Sequence, residues 1–250
     1  MQYVSTEVVD ECTRIRLSNG PTNLLNTEVL AELAAVFEQA ERNSRAVLLC
    51  GGDKFFSNGV DLDWALGQST EGMRSLFLEL GYLMLRLLES PLPVVGVIKG
   101  HAMGGAKALF LACDYRYSAT GRVLIGAPEI LIGVPNPYYS DQLVRFVAGD
   151  FVGSDLIYTG KLVTGEEGVA LGLVHEVAAP ADVEQRAWKQ VLLLRDLPAE
   201  AFAECKRMRI GAFCADVRAQ MSSRVARQVE IWNSEEAQQR LRAAATRLAR

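Results

Sequence analysis

Histidine is scarce in this chain: His101 and His175 are the only two in 250 residues. A histidine-rich metal centre therefore cannot be built within one copy. Cysteine does not make up for it, because Cys12, Cys50, Cys113, Cys205 and Cys214 are scattered and form no CxxC pair. Their odd number and spacing point to reduced thiols acting as small apolar residues in a cytosol-like compartment. No GxxxxGK[ST], GxSxG or HExxH motif occurs. A Ser-His-Asp triad would have to use one of the two histidines, and neither neighbours a nucleophile elbow. Positive charge is not in excess: 26 Lys and Arg stand against 30 Asp and Glu, a net charge of −4. That excludes a basic face of the whole chain for nucleic acid, though not a local basic patch. No apolar run approaches the ~18 residues of a membrane span. The longest, Pro93–Ile98, stops at Lys99. The opening MQYVSTEVVDECTRIRL has early acids and no apolar centre, so no signal peptide is expected. The closing LAR is not an SKL-type address. The expected setting is soluble cytoplasm, with no metal, nucleic-acid or membrane partner.

What the chain does contain is enough apolar residue, 50%, for a sizeable core. The length fits one large domain or a domain with a helical appendage. Val8–Val9 and Ile15–Leu17 read as an opening strand pair, and Thr27–Glu41 as a helix with Leu30, Leu33, Ala34 and Phe37 on one face. Ala46–Cys50 and Val94–Ile98 are apolar runs of strand length. Between them, Gly72–Leu88 carries apolar residues at spacings of three and four and ends at Ser90–Pro93. Ala106–Ala112 predicts a short helix and Asp114–Ser118 a strand. From Asp141 onward the pattern predicts helix after helix: Glu166–Leu171, Ala181–Arg195, Ala199–Arg209, Val217–Trp232, and a last one capped by Ser234. Strands joined by helices imply an α/β fold. The expected division is a core over residues 1–195 and a helical region over 196–250.

Two segments suit an oxyanion. Phe55–Leu62, FFSNGVDL, follows a strand and two glycines, and Asn58–Gly59 lets the chain double back. Gly100–Lys107, GHAMGGAK, also follows a buried strand. Its Gly104–Gly105 opens a helix whose free amides attract negative charge. Singly, these read as an anchored loop and a close helix–strand contact. Together they can offer two N–H groups to one developing charge. Downstream, Glu129 lies between Pro128 and Ile130–Ile132. Taken alone it is a loop glutamate. In apolar surroundings its pKa would rise, which suits a base near neutral pH.

These segments, in this order, resemble the crotonase (enoyl-CoA hydratase/isomerase) family. FFSNGVDLDWA, SPLPVVGVIKGHAMGGA, ACDYRYSA, GAPEILIGV and GEEGVALGLVHEV carry the likeness over most of the chain. The resemblance implies a spiral of ββα units with C-terminal helices that support a homotrimer, or a hexamer made of two trimers. It implies an acyl-CoA thioester as substrate, with coenzyme A part of that substrate rather than a separate cofactor. It places the enolate donors on the amides of Val60 and Gly105, flanked by Gly59 and Gly104, and a catalytic carboxylate on Glu129 beside Pro128. Family hydratases use a second glutamate, and Ala108 stands at that position here. Losing one of two groups that act as a unit removes most of such an activity. The likeness is therefore greatest to the Δ3,Δ2-enoyl-CoA isomerase branch, in which one carboxylate moves a proton from C2 to C4. Alternatives are other crotonase chemistry (hydration, decarboxylation, thioester hydrolysis) or a non-catalytic acyl-CoA binder. Trp64, Leu66, Phe77 and Leu80 are candidates for an acyl channel, with Tyr138 and Tyr139 at its border. Lys54, Lys99, Arg240, Arg242, Arg247 and Arg250 are available to the coenzyme A phosphates. Asp61 reads as a helix cap and His101 as a packed turn residue.

Overall fold

A computed structural model of the protein describes residues 1–248. The chain opens with a hairpin of β1 (Val4–Val9) and β2 (Cys12–Leu17). Its two turn residues, Asp10 and Glu11, have φ of 51° and 59°, the pattern of a type I′ turn. Helix α1 (Thr27–Asn43) follows, capped by Asn26, whose side chain accepts from Val29 N at 2.9 Å.

Three turns of a spiral come next, and each sends one strand to each of two sheets. The first comprises β3 (Ala46–Cys50), β4 (Phe55–Ser57), α2 (Leu62–Leu66) and α3 (Thr70–Glu89). The second comprises β5 (Val94–Ile98), β6 (His101–Met103) and α4 (Gly105–Leu111). The third has β7 (Tyr115–Ala119), β8 (Leu124–Gly126), a 3₁₀ turn at Pro128–Ile132, α5 (Tyr138–Ala148) and α6 (Asp150–Thr159). The chain then adds β9 (Leu162–Thr164), α7 (Gly165–Ala170), β10 (Glu176–Ala178), α8 (Val183–Arg195), α9 (Ala199–Trp232) and α10 (Glu235–Leu248). One sheet runs β1-β2-β3-β5-β7-β10 and the other β4-β6-β8-β9. This is the expected α/β spiral with a helical C-terminal region.

The corners between sheets require glycine. A Cβ on Gly51 would lie 2.4 Å from Phe56 O, and one on Gly100 only 2.1 Å from the Lys54 carbonyl carbon. Strands β3 and β5 are buried along their whole length, as expected of parallel strands covered on both faces.

Two expectations about the C-terminal half need correction. Ala199–Arg209 and Val217–Trp232 are one continuous helix of 34 residues. The intervening segment contains Gly211, which costs a helix about 1 kcal/mol. The buried stripe nevertheless runs through it: Ile210, Cys214, Val217, Met221 and Val225 recur every three or four residues. The stretch after Asp141 is also not purely helical, since β9 interrupts it, while α7 and β10 form the helix-then-strand element that the family likeness of Gly165–Val177 implies. Strands of three residues are too short to show a period.

Helix α9 is pinned near its start by a buried ammonium. Lys206 Nζ donates to Asp114 Oδ2 at 2.8 Å and to the carbonyls of Leu87 and Leu92, both at 3.2 Å. Asp114 Oδ2 also accepts from Val94 N at 2.8 Å. One ion pair thus ties together the C-terminal end of α3, the first residue of β5 and α9. At the other end of the chain, α10 folds back onto α2 and the 3₁₀ turn. Among the described residues no helix is long and apolar enough to cross a membrane.

Candidate active site

The two glycine-containing loops meet side by side. A Cβ on Gly59 (φ 86°) would lie 3.0 Å from Met103 O and 3.8 Å from Gly104 Cα. The first loop is tied down on both flanks: Asn58 N donates to Thr22 O, Leu25 N to Gly59 O, and Asp61 N to Leu25 O. Asp61 also caps α2, its Oδ1 accepting from Trp64 N at 3.1 Å. In the second loop Gly104 N donates to Gly126 O at 2.8 Å, and Lys107 N to Gly104 O at 3.0 Å. The amides of Val60 and Gly105 are among those left over. Neither donates to any acceptor among the described residues, and both residues line the same cavity.

That cavity has a volume of about 440 Å³, within the usual range for small-molecule sites. Its floor is the loop pair, with Glu129 and Pro128 beside it on the 3₁₀ turn. Phe77 and Leu80 of α3 form one wall, Gln228 and Trp232 of α9 another, and α10 closes over with Ala244 and Arg247. Glu129 is the one carboxylate among the lining residues. Its Oε2 is shut away from solvent without a hydrogen-bond partner, and burial pushes its carboxyl above the usual range, with the Lys107 ammonium pulling the other way. Ala108 is fully buried in α4 and does not reach the cavity.

The backbone around Glu129 leaves no spare room. Gly104 has φ 55°, and a Cβ there would lie 2.9 Å from Glu129 Oε1. A Cβ on Gly105 would lie 2.5 Å from Leu80 Cδ2. The glycines therefore let the Glu129 carboxylate and Leu80 approach the loop, besides freeing its amides.

Among the residues expected from sequence, Glu129, Val60, Gly105, Gly59, Gly104 and Pro128 surround this cavity, and Phe77 and Leu80 line it. Trp64 and Tyr138 do not. Leu62, two positions earlier on α2, takes the cavity face, and Trp64 packs against the core instead. Tyr138 is drawn to the outer face of α9. Its hydroxyl donates to Asp216 at 3.1 Å, and its ring lies under the Arg224 guanidinium at 5.0 Å. Pro137 lines the cavity in its place. Leu66 and Tyr139 are not in the lining either. His101 is a packed strand residue, its Nδ1 accepting from Leu124 N at 3.0 Å. Of the basic candidates, Arg247 reaches the cavity. Lys99 pairs with Asp53 at 2.5 Å, Lys54 lies over the Phe55 ring, and Arg240 pairs with Glu236. Arg242 does not reach the cavity, and Arg250 lies outside the described residues. Gln228 and Trp232 had no local signal, because only the return of α9 brings them to loops more than a hundred residues earlier in the chain.

Known proteins agree with this architecture. The chain is 34% identical over 198 residues to a probable enoyl-CoA hydratase, echA17, of Mycobacterium avium, covering 76% of this chain and 74% of that one. It is 29% identical over 195 residues to the human peroxisomal bifunctional enzyme; that match covers 77% of this chain but only 26% of the larger protein. Its fold superposes on the crystal structure of human mitochondrial Δ3-Δ2-enoyl-CoA isomerase with a TM-score of 0.95 at 26% identity, covering 99% of this chain and 98% of that one. The sequence profile described as Enoyl-CoA hydratase/isomerase matches residues 9–246. With nearly its whole length accounted for, the chain belongs to the enoyl-CoA hydratase/isomerase family.

Proposed function

We propose that this enzyme moves a double bond in an acyl-CoA, converting a 3-enoyl-CoA to the conjugated 2-enoyl-CoA. The observation that carries this reading is the solitary carboxylate: Glu129 is the one carboxylate lining the cavity, and by the family resemblance Ala108 stands where hydratases carry a second glutamate. The thioester carbonyl sits between the amides of Val60 and Gly105. Glu129 takes a proton from C2, and the electron pair of that C–H bond moves into the C1–C2 bond and onto the thioester oxygen. One such donor typically lowers the barrier by about 3–4 kcal/mol. The enolate then collapses: C2 and C3 become doubly bonded, the C3–C4 double bond opens toward C4, and protonated Glu129 returns the proton there. No group is oxidised or reduced, and coenzyme A stays attached throughout. Hydration would need a second group to orient and deprotonate water.

Incubation with a 3-enoyl-CoA should raise the absorbance of the conjugated thioester. Incubation with a 2-enoyl-CoA in water should leave that absorbance nearly unchanged. Rapid loss of the conjugated absorbance in the second experiment would make the enzyme a hydratase. Gly104→Ala is expected to lower kcat roughly 10²-fold, since its methyl would press on Glu129 Oε1 from 2.9 Å. Unchanged kcat with a raised KM would instead show that Gly104 only shapes binding.

The family resemblance also implies assembly into trimers. Phe151 is 88% exposed and Tyr158 65%, both on α6, which packs against α5, carrying the exposed Phe146, and against the 3₁₀ turn, carrying the exposed Ile130 and Leu131. Large apolar side chains exposed on packed neighbouring elements suit an interface. Phe151→Asp should shift the sedimenting species from trimer toward monomer, and an unmoved distribution would place the interface elsewhere.

A further inference from the structure

Lys107 is a charged residue in the wrong place for a surface role. It is 2% exposed on α4, and its Nζ has no hydrogen-bond partner among the described residues. Taking an ammonium out of water unpartnered is costly, and a leucine or methionine would fill the space without that cost. Lys107 lies in the first turn of α4, three residues after the N-cap Gly104, whose carbonyl accepts from Lys107 N at 3.0 Å. Helical side chains lean toward the N-terminus of their helix, here the end at which Gly104 abuts the Glu129 carboxylate. Glu129 Oε2 is itself buried and unpartnered.

The surroundings narrow the role. From α5, Asp141 turns its carboxylate to Gln142 Nε2 at 3.1 Å and Arg145 Nε at 3.3 Å. Tyr139, also on α5, brings a buried hydroxyl without a partner. Helix α3 and strands β5 and β6 also pack on α4. Among the described residues, Glu129 and Asp141 are the charged groups that act on Lys107.

From this cluster we propose that Lys107 is a positioning residue for the base, a fixed buried cation that keeps Glu129 ionised without binding it. The inference rests on Glu129 being the base. A direct ion pair would clamp the carboxylate, whereas a proton shuttle must reach two carbons in turn. A cation held back from contact supplies the charge and leaves Glu129 Oε2 without a direct partner. The electrostatics run in the required direction. Burial pushes the Glu129 carboxyl up and Lys107 draws it back down, while burial pushes Lys107 down to about 8 against the pull of Glu129 and Asp141.

Titrating the carboxyl itself tests the idea without any substrate. The protonated-carboxyl infrared band of Glu129 is isolated by subtracting the spectrum of Glu129→Gln, and its midpoint is followed with pH with Lys107 present and in Lys107→Met. The midpoint should rise by about one pH unit or more in Lys107→Met, a tenfold gain in proton affinity. Lys107→Arg should hold it near the original value. Lys107→Gln serves if the methionine variant does not fold. A midpoint that stays put when the cation is gone overturns the proposal. An enzyme inert toward 3-enoyl-CoA but showing the shifted midpoint would defeat the isomerase reading alone.

Discussion

Glu129→Gln is expected to slow conversion of a 3-enoyl-CoA by roughly 10²–10⁴-fold, the usual contribution of a positioned acid–base group. Glutamine keeps the size and polarity of the side chain, so acyl-CoA binding measured by calorimetry should change little. A loss in kcat with KM retained is the signature of an interaction made mainly in the transition state. The pH dependence has a definite sign. Burial raises the carboxyl above its ordinary value, so kcat/KM should fall on the acidic side as Glu129 takes up its proton. The same raised carboxyl opposes folding. The penalty is absent below the unfolded pKa of about 4.3, grows as pH rises through the folded pKa, and is complete above it. Glu129→Gln should therefore be more stable than the parent at neutral pH, by a margin that vanishes on acidification. Wild-type turnover in this variant would remove Glu129 from the chemistry.

Lys206→Met should give the largest loss of stability. The ammonium is 6% exposed and its partner Asp114 18%. Removing one member of a buried pair costs about 3–5 kcal/mol, because the other charge is left uncompensated. Two carbonyls, of Leu87 and Leu92, also lose a donor. Burial already raises the Asp114 carboxyl above its ordinary value, with Lys206 opposing. Without Lys206 it should rise further. The cost of an ionised Asp114 is absent below its unfolded pKa, grows as pH rises through the folded pKa, and is full above it. The difference in unfolding free energy between parent and variant, from urea titrations, should thus be largest near neutral pH and shrink toward pH 4. An equal difference at both pH values would mean that lost packing, not the orphaned carboxylate, explains the effect.

The elements that a local pattern can specify were legible. Strands β3 and β5 have the bounds that their apolar runs and flanking turns indicate, and α3 extends only two residues before and one beyond its predicted stripe. The two glycine loops were legible because a turn signal after a buried strand is itself a local feature. Orientation was not. Leu62 and Trp64 are both apolar and sit two positions apart, about 200° around a helix; only the packed neighbours decide which one faces the cavity. Tyr138 left the expected border because Asp216 and Arg224 offered it polar partners on a distant helix. The burial of Lys107 left no trace in a sequence where lysine normally marks the surface. The far wall was illegible for a geometric reason, since Gln228 and Trp232 arrive from the opposite end of the chain.

Helix α9 carries a consequence of its own. At 34 residues it is a stiff strut roughly 50 Å long, bolted to the sheet near one end and forming part of the acyl wall at the other. Tilting such a strut at its bolt sweeps its far tip through a much larger arc. Under the proposed function, substitutions at Lys206 or Asp114, which lie outside the cavity lining, should therefore change the acyl chain length that the enzyme prefers.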